Sequence, residues 1–491
     1  MNKYLKAVST NLIFFFISTI SFLILTPLAI HLMGKEFYGL WAVLNAVIGF
    51  STIGTLGISS IVNKFAAEST PLGQEKSGSS ILAAGFAIIT PMALLTAGIL
   101  WLIRNLIAGN LAMSSLLEHQ FETAIAICII GIIPQFLSRV PQGFLLSQLK
   151  NNLVRFFDFI ASVFPLIGAV IICAFQKNLI WIAYCFTSIQ FLTLFLYLIA
   201  VRQNLHLSLH LKGQIIHNML GFSFFMFVES LAIALFQNFD RVLVGFILGP
   251  AIAGVYSVGT SVGLRISQIT GQVTDTMIPY ASLKNSLEDH EALYQTFRKL
   301  SQYIGLMVAI IASLCIIWMR EILTIWISSS YAESYSTVFS VLILAYGFLS
   351  LSRPGDQTLT GLGQVKFASI TYLLSTIIML SGLYFLSQNV GLFGAAVANT
   401  FMILLVVMNL RAYQLLHHKI DWQHVFADLK WGILLPLLAY VAILFQPNEY
   451  LKICYTLVLI GYVTILVSKD NYLRGLLYEL YYKIKRKNST S

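Results

Sequence analysis

The sequence predicts an all-α polytopic membrane protein with about fourteen transmembrane helices. Three observations carry that fold class. Only 10% of the 491 residues are charged and 58% are hydrophobic, with a mean hydropathy of +0.82, whereas a soluble domain carries roughly a quarter charged residues. Apolar runs near or above the ~20 residues that a bilayer-crossing helix needs follow one another along the chain. The longest loop between them, around 275–299, is far below the ~50 residues of a small soluble domain. Finally, a glycine–aromatic pattern recurs at a fixed offset, so the chain looks as if it begins twice.

The elements run as follows. Lys3 and Lys6 precede the run 12–32, which is too long for a signal-peptide core and lacks a small-residue cleavage site, so it reads as a retained first span. Gly34-x-x-x-x-Gly39-x-Trp41-x-Val43 opens the second, 40–62. The third, 80–103, ends on Trp101 and Arg104; the fourth, 121–146, carries Ser138-Arg139; 153–175 and 179–201 complete a set of six. The seventh, 219–248, holds Glu229, Asp240 and Arg241 among phenylalanines and leucines. It leads through Gly249-x-x-x-x-Gly254-x-Tyr256-x-Val258 into the eighth, 252–274. The ninth, 300–319, is followed by Arg320; the tenth, 338–360, carries Ser352-Arg353; 367–386 and 392–410 close a second set. Spans 431–445 and 451–467 stand outside both sets. Pro27, Pro91, Pro134, Pro141, Pro165, Pro354 and Pro436 fall in spans. Each removes a backbone hydrogen bond and kinks its helix, a packing feature first and a hinge second.

The glycine patterns lie 215 positions apart, Ser138-Arg139 and Ser352-Arg353 lie 214 apart, and Trp101 and Trp318 lie 217 apart. Corresponding spans lie six places apart in the order, an even number, so the two repeats are parallel, with a site expected between them near mid-membrane. The expected parts are a first lobe, 1–210, a second lobe, 211–420, an added helix pair, 421–468, and a basic cytoplasmic tail, 469–491. Of the 30 lysines and arginines, Lys35, Arg104, Lys177, Arg320 and Lys452 fall on the side away from the termini, and Arg139, Arg155, Arg241 and Arg265 fall within spans. All the others share the side of the termini, which makes both ends cytoplasmic. In the tail, Tyr472, Leu473, Leu476, Leu477 and Leu480 form a helical stripe ahead of Lys483, Lys485, Arg486 and Lys487. That suits an interfacial helix on anionic lipid.

Several function classes are excluded. The net charge of +10 follows from the positive-inside bias and implies no nucleic acid. Cys128, Cys173, Cys185, Cys315 and Cys454 sit inside apolar runs without paired spacing, so neither a disulfide framework nor a metal site is expected. His206, His210, His217, His417, His418 and His424 read as solvated interfacial residues. With no phosphate-binding glycine loop, zinc-protease motif or catalytic triad, no enzyme activity and no ATP-driven cycle are expected.

Two groups of residues carry a family resemblance. The first is Pro27-Leu28-Ala29, then Gly34-Lys35-Glu36-Phe37-Tyr38-Gly39-Leu40-Trp41 and the stretch 50–60 with Gly54 and Gly57. The second is Gln237-Asn238-Phe239-Asp240-Arg241, then Gly249 and Gly254-Val255-Tyr256-Ser257-Val258. In order and spacing the chain resembles the multidrug/oligosaccharidyl-lipid/polysaccharide exporter superfamily, and within it the Wzx-type polysaccharide flippases. The resemblance implies a V-shaped pair of six-helix lobes alternating between inward-open and outward-open states. It also implies a cargo of undecaprenyl-diphosphate-linked oligosaccharide moved to the outer leaflet of the cytoplasmic (inner) membrane for surface polysaccharide such as O-antigen. In related lipid II flippases an extra helix pair forms a groove for the lipid tail.

An anionic, hydrated headgroup crossing a ~30 Å hydrocarbon layer needs a wet cavity with cations. Arginine suits a diphosphate because its fork donates paired hydrogen bonds. Arg241 and Arg265 are the leading candidates for headgroup contact, with Asp240 beside them. Asp240 and Arg241 serving only as a buried structural pair is the competing reading. Glu229 is the candidate site for a coupling H+ or Na+, because a carboxylate mid-span is costly. The repeated position of Arg139 and Arg353, with Asp356, points to lobe packing or an inner gate. Arg155 and Asp158 read as an interfacial i,i+3 pair. The intramembrane charges, with arginines only slightly in excess, do not make a clearly cationic lumen.

The expected partners are the lipid-linked oligosaccharide, the phospholipid bilayer and polysaccharide polymerase machinery. No cofactor is expected. One alternative is a cation-coupled small-molecule or multidrug exporter of the same superfamily. Against it, that branch usually has twelve spans and an acid in its first, whereas 12–32 holds no charged residue. Another is a membrane polysaccharide polymerase or ligase, which would need a large outer loop; the longest, 104–120, is short.

Overall fold

A computed structural model describes residues 2–55, 57–69, 75–111, 115–148, 150–202, 231–275, 277–417, 422–445 and 447–469. Glu229, the start of span 219–248, the 210/211 lobe boundary, the tail beyond 469, and His206, His210, His217 and His418 lie outside the described residues. The described backbone is helical throughout, apart from short connections.

The first half contains α1 (Asn2–Met33), α2 (Lys35–Ser51), α3 (Ile58–Ser69), α4 (Glu75–Gly109), α5 (Ser115–Leu137), α6 (Arg139–Ser147), α7 (Asn151–Phe175) and α8 (Leu179–Val201). There α1 packs on α7, α4 and α8 pack on α5, and α3 packs on α6. The expected span 40–62 is divided between α2 and α3, and 121–146 is divided at Ser138 between α5 and α6. Pro134 and Pro141 flank that break, each withholding one rung of the helical ladder.

The second half contains α9 (Asp240–Leu248), α10 (Pro250–Thr274), α11 (Met277–Ser286), α12 (His290–Ile317), α13 (Met319–Trp326), α14 (Ser329–Gly361), α15 (Val365–Asn399) and α16 (Val407–His417). The stretch 275–299, expected as loop, is largely helix: it holds α11 and the start of α12. The helix α14 carries serines, threonines, Arg353 and Asp356 that lipid could not satisfy. It is enclosed by other helices: it is buried almost continuously from Val338 to Leu359 and packed against α10, α12, α13 and α15. Pro354 lies within it, and the ladder there is completed from outside. The Asn409 side chain donates to Leu351 O and accepts from Gly355 N–H, both at 2.7 Å. Those two backbone groups would otherwise pair with each other, so the carboxamide is inserted as a splint at a proline kink. The expected spans 367–386 and 392–410 lie on one helical stretch, interrupted at Gly391 (φ 62°, ψ −142°).

The added pair is α17 (Trp422–Leu444) and α18 (Glu449–Lys469). Its first helix begins nine residues before the apolar run at 431, because polar residues there face protein. Asp428 is buried and accepts from Arg298 Nε (3.1 Å) and Nη2 (3.3 Å), Gln302 Nε2 (2.5 Å) and Tyr413 OH (2.5 Å). At its other end the pair is held by Lys452 against Glu321 and by Trp318 Nε1 donating to Thr456 Oγ1 at 3.0 Å.

The halves meet where the glycine patterns lie. Gly34 (φ 79°) and Gly249 (φ 86°) each end one helix and start the next, a left-handed turn that glycine makes without strain. Five residues on, Gly39 and Gly254 bring α2 against α10. A Cβ on Gly39 would lie 1.7 Å from Pro250 O, and one on Gly254 would lie 2.9 Å from Gly39 Cα. On the same side Trp326 Nε1 donates to Leu23 O at 2.6 Å and Lys35 Nζ stands 5.5 Å from the Tyr335 ring centroid.

Among the described residues, ten helical stretches are long and apolar enough to cross a membrane. Outer helix faces leave Leu94, Leu95, Leu102 and Leu106 on α4 exposed, and α18, which is not among the ten, likewise exposes Leu451, Leu457 and Val458. Apolar surface on that scale faces lipid. The protein is a multi-pass membrane protein.

Candidate functional site

Beside the contact between the glycine patterns, the halves part around a cavity of about 500 Å³ walled by α1, α2, α7 and α10. Each wall is one helix face. On α7 the lining residues include Arg155, Asp158, Phe159, Ser162 and Leu166, and on α10 Arg265, Gln268 and Gln272. This three- and four-residue spacing is what a single helix stripe produces. Phe14, Phe15, Ser18 and Phe22 line it from α1, and Trp41 and Asn45 from α2. The cavity starts beside the glycine contact, at Trp41, and extends towards the N-terminal end of α7 and the C-terminal end of α10.

The charged groups around it are mainly guanidinium. Arg265 lies past the midpoint of α10, ~22 Å from its start at ~1.5 Å per residue. Its Nη1 donates to Gln268 Oε1 at 3.3 Å and its guanidinium stands 5.2 Å from the Phe22 ring centroid. Five N–H donors with one side-chain acceptor among the described residues leave capacity for a ligand. Arg155 faces it from the other half. At the end of α10, Asp275 is within Coulombic reach of both Arg155 and Arg353, so an acid of the second half links arginines of both. The lining of this cavity carries two arginines and one carboxylate, Asp158. The near balance of the whole intramembrane set therefore misstates the cavity, because Asp240 and Asp356 are buried elsewhere.

A side chamber of about 380 Å³ opens within the first half and shares Asn45, Asp158, Ser162 and Pro165 with the cavity. Its remaining wall includes Gln135, Ser138, Arg139, Gln142, Phe186, Gln190, Thr193 and Tyr197. Arg139 Nη1 donates to Gln142 Oε1 at 3.1 Å. Gln142 Nε2 donates to the Asp158 carboxylate at 2.9 and 3.1 Å, and Tyr197 OH donates to it at 3.0 Å.

The second half holds a counterpart at an offset of 214 positions. Arg353, Asp356 and Tyr372 stand where Arg139, Gln142 and Asp158 stand in the first. Tyr372 OH donates to Asp356 Oδ2 at 3.0 Å, and Arg353 Nη1 lies 3.9 Å from the same oxygen. The hydrogen bond between the second and third members is kept, with donor and acceptor exchanged. Here the carboxylate is enclosed: Asp356 is 4% exposed.

Of the leading candidates, Arg265 lines the cavity, whereas Arg241 and Asp240 lie outside its lining. Asp240 is fully buried. It accepts from Tyr256 OH at 2.9 Å and from the Arg241 N–H at 2.8 Å, and Tyr256 OH accepts from Asn399 Nδ2 at 2.7 Å. This chain ties α9, α10 and α15 together just beyond a π-helical turn, Leu235–Phe239. Arg241 lies close enough to Tyr38 and Tyr346 to act on both hydroxyls electrostatically, and its Nε is buried with no partner among the described residues. Arg155 and Asp158, read from spacing as an interfacial pair, face the cavity instead. Helical spacing showed that they share a face, but not that α1 and α10 would leave this face open. His417 stacks on Tyr294 (4.8 Å between centroids, 8°) and His424 Nδ1 lies 3.3 Å from Tyr294 OH, so these two histidines pack on the second half.

Residues 29–336 match the family model described as "Polysaccharide biosynthesis protein". A Shigella flexneri protein named as an O-antigen transporter is 20% identical over 379 residues, covering 76% of this chain and 88% of that protein. The structure resembles the lipid II flippase MurJ in its inward closed conformation (TM-score 0.66, 14% identity, 93% of this chain and 99% of that one). It also resembles a multidrug resistance MATE family transporter of the MOP superfamily in its inward-facing conformation (TM-score 0.67, 10% identity, 86% and 95%). The chain belongs to the polysaccharide biosynthesis protein family.

Proposed function

We propose that this member of the polysaccharide biosynthesis protein family is a flippase. It carries an undecaprenyl-diphosphate-linked oligosaccharide from the cytoplasmic to the outer leaflet by alternating access, for surface polysaccharide synthesis. The observation that carries the proposal is the arginine-lined cavity between two halves that touch at one end. Arg155 and Arg265 approach from opposite halves, so an anion bound by both responds to any change in their separation. Guanidinium forks bind diphosphate oxygens in pairs. Phe14, Phe15 and Phe22 offer apolar surface beside them for the first carbons of the lipid.

On this proposal the chain has fourteen spans in two parallel six-helix repeats, 1–210 and 211–420, followed by the pair 421–468 and a cytoplasmic tail, 469–491. The repeated left-handed glycines, the Gly39–Gly254 contact and the three positions matched at offset 214 support the repeat. The protein sits in the inner membrane with both termini cytoplasmic, so the cavity faces the cytoplasm, where the cargo is made. Transport is coupled to an H+ or Na+ gradient, with Glu229 as the coupling site, and polymerase machinery receives the cargo.

The test is deletion of the gene in its native strain. Lipid-linked glycan should accumulate on the cytoplasmic face and surface glycan should fall, with both reversed by the wild-type gene. Unchanged surface glycan with altered drug sensitivity would instead identify a small-molecule exporter.

A further inference from the structure

We propose that the side chamber within the first half is a sugar-reading subsite, occupied by the first sugars of the glycan while the diphosphate stays between Arg155 and Arg265. The inference rests on the flippase assignment above.

The two spaces differ in chemistry. The cavity between the halves sets two arginines, one from each half, and four phenylalanine rings among its amides and serines. The chamber presents amides and hydroxyls, and its arginine already donates to Gln142 Oε1 at 3.1 Å. Amide side chains donate and accept at once, as sugar hydroxyls and acetamido groups do, whereas a diphosphate only accepts. Gln135 Oε1 is buried with no hydrogen-bond partner among the described residues, and Gln190 is 3% exposed. A buried amide oxygen left without a donor is costly, and a sugar hydroxyl would satisfy it. Phe186 adds a flat apolar wall for the C–H face of a pyranose ring.

Asp158 sets the direction. It stands on the wall shared by both spaces, with its carboxylate held by Gln142 Nε2 at 2.9 Å and Tyr197 OH at 3.0 Å. A carboxylate there accepts from the hydroxyls of a sugar passing over it, while in the cavity its charge is outnumbered by Arg155 and Arg265. The chamber, at about 380 Å³, is within the ~300–1,000 Å³ of small-molecule sites. It has room for the first sugars of a glycan and none for a long chain. Cargo selection would then rest on the sugars next to the diphosphate, and distal sugars would lie outside the chamber.

The full-length protein in lipid nanodiscs can be titrated with two probes: undecaprenyl diphosphate, and the lipid-linked glycan extracted from the native strain. The wild type should bind the glycan-bearing probe about tenfold more tightly. Gln135→Met with Gln190→Met keeps side-chain length while removing the amides. It should bring the two affinities to within about twofold of each other, at unchanged affinity for bare undecaprenyl diphosphate. A double variant that keeps the wild-type preference, or that loses both probes equally while remaining monodisperse, overturns the subsite. If the double variant does not purify as a monodisperse species, Gln190→Met alone is read by the same criteria. Wild-type protein that binds neither probe overturns the flippase assignment itself. Binding of both with equal affinity overturns only the subsite.

Discussion

The two halves of this protein carry one polar arrangement in two settings. In the first, Arg139, Gln142 and Asp158 line a chamber that joins the cavity between the halves. In the second, Arg353, Asp356 and Tyr372 occupy the same relative positions, yet the carboxylate is sealed among helices. The open version puts its carboxylate on the helix that borders the cavity, supported from behind by an amide and a phenol. The closed version puts its carboxylate on the buried helix α14, with the phenol across from it on α15. A helix–helix hydrogen bond thus stands at corresponding positions in both halves. The acid is on one member of the pair in the first half and on the other in the second, so only the first half has its carboxylate on a cavity wall. Two further buried acids serve cohesion: Asp240 holds α9 to α10 within the second half, and Asp428 of the added pair holds α17 to α12 and α16 of that half.

If cohesion belongs to the second half and ligand contact to the cavity, substitutions should separate stability from transport. The largest loss of stability is expected for Asp428→Ala, which strips a buried carboxylate from Arg298, Gln302 and Tyr413 at ~3–5 kcal/mol. Detergent-extracted protein should melt well below the wild type, and membrane abundance should fall. Asp240→Ala should cost ~1–3 kcal/mol by leaving the Tyr256 hydroxyl without its acceptor, seen as a smaller fall in melting temperature. Tyr256→Phe removes the donor and leaves the other Asp240 contact in place, so ~0.5–1.5 kcal/mol is expected in the same assay. The smallest effect on stability is expected for the exchange Gln142→Asp with Asp158→Tyr, which gives the first half the closed pattern of the second. Abundance should stay near wild type while transport is lost; retained transport would show that the open pattern has no role in it.

Much of the fold was legible in the sequence because the membrane imposes one rule on every span. Charge-poor runs of sufficient length, with lysine and arginine biased to one side, already described a polytopic helical protein. The glycine patterns also pointed to the right place, since a left-handed turn followed by a helix contact without Cβ demands glycine at Gly34, Gly39, Gly249 and Gly254. The cavity was legible only where a charge marked it. Arg265 stood out, but Gln135, Gln190 and Asn45 are uncharged and give no signal in a hydropathy profile. Arg155 and Asp158 were visible as a pair, yet which way their face pointed depended on packing of α1, α2 and α10, which is long-range. Asp428 was missed because apolar run length places the start of its helix too late.

The flippase proposal predicts that Arg265 contacts the cargo whereas Asp356, also charged and intramembrane, serves packing. It is tested most directly by expressing Arg265→Gln and Asp356→Asn in the deletion strain and measuring surface glycan per unit of flippase in the membrane. Arg265→Gln should keep near-normal membrane abundance and lose most transport per molecule, while Asp356→Asn should lower abundance and leave transport per remaining molecule close to wild type. Full transport per molecule by Arg265→Gln would contradict the account.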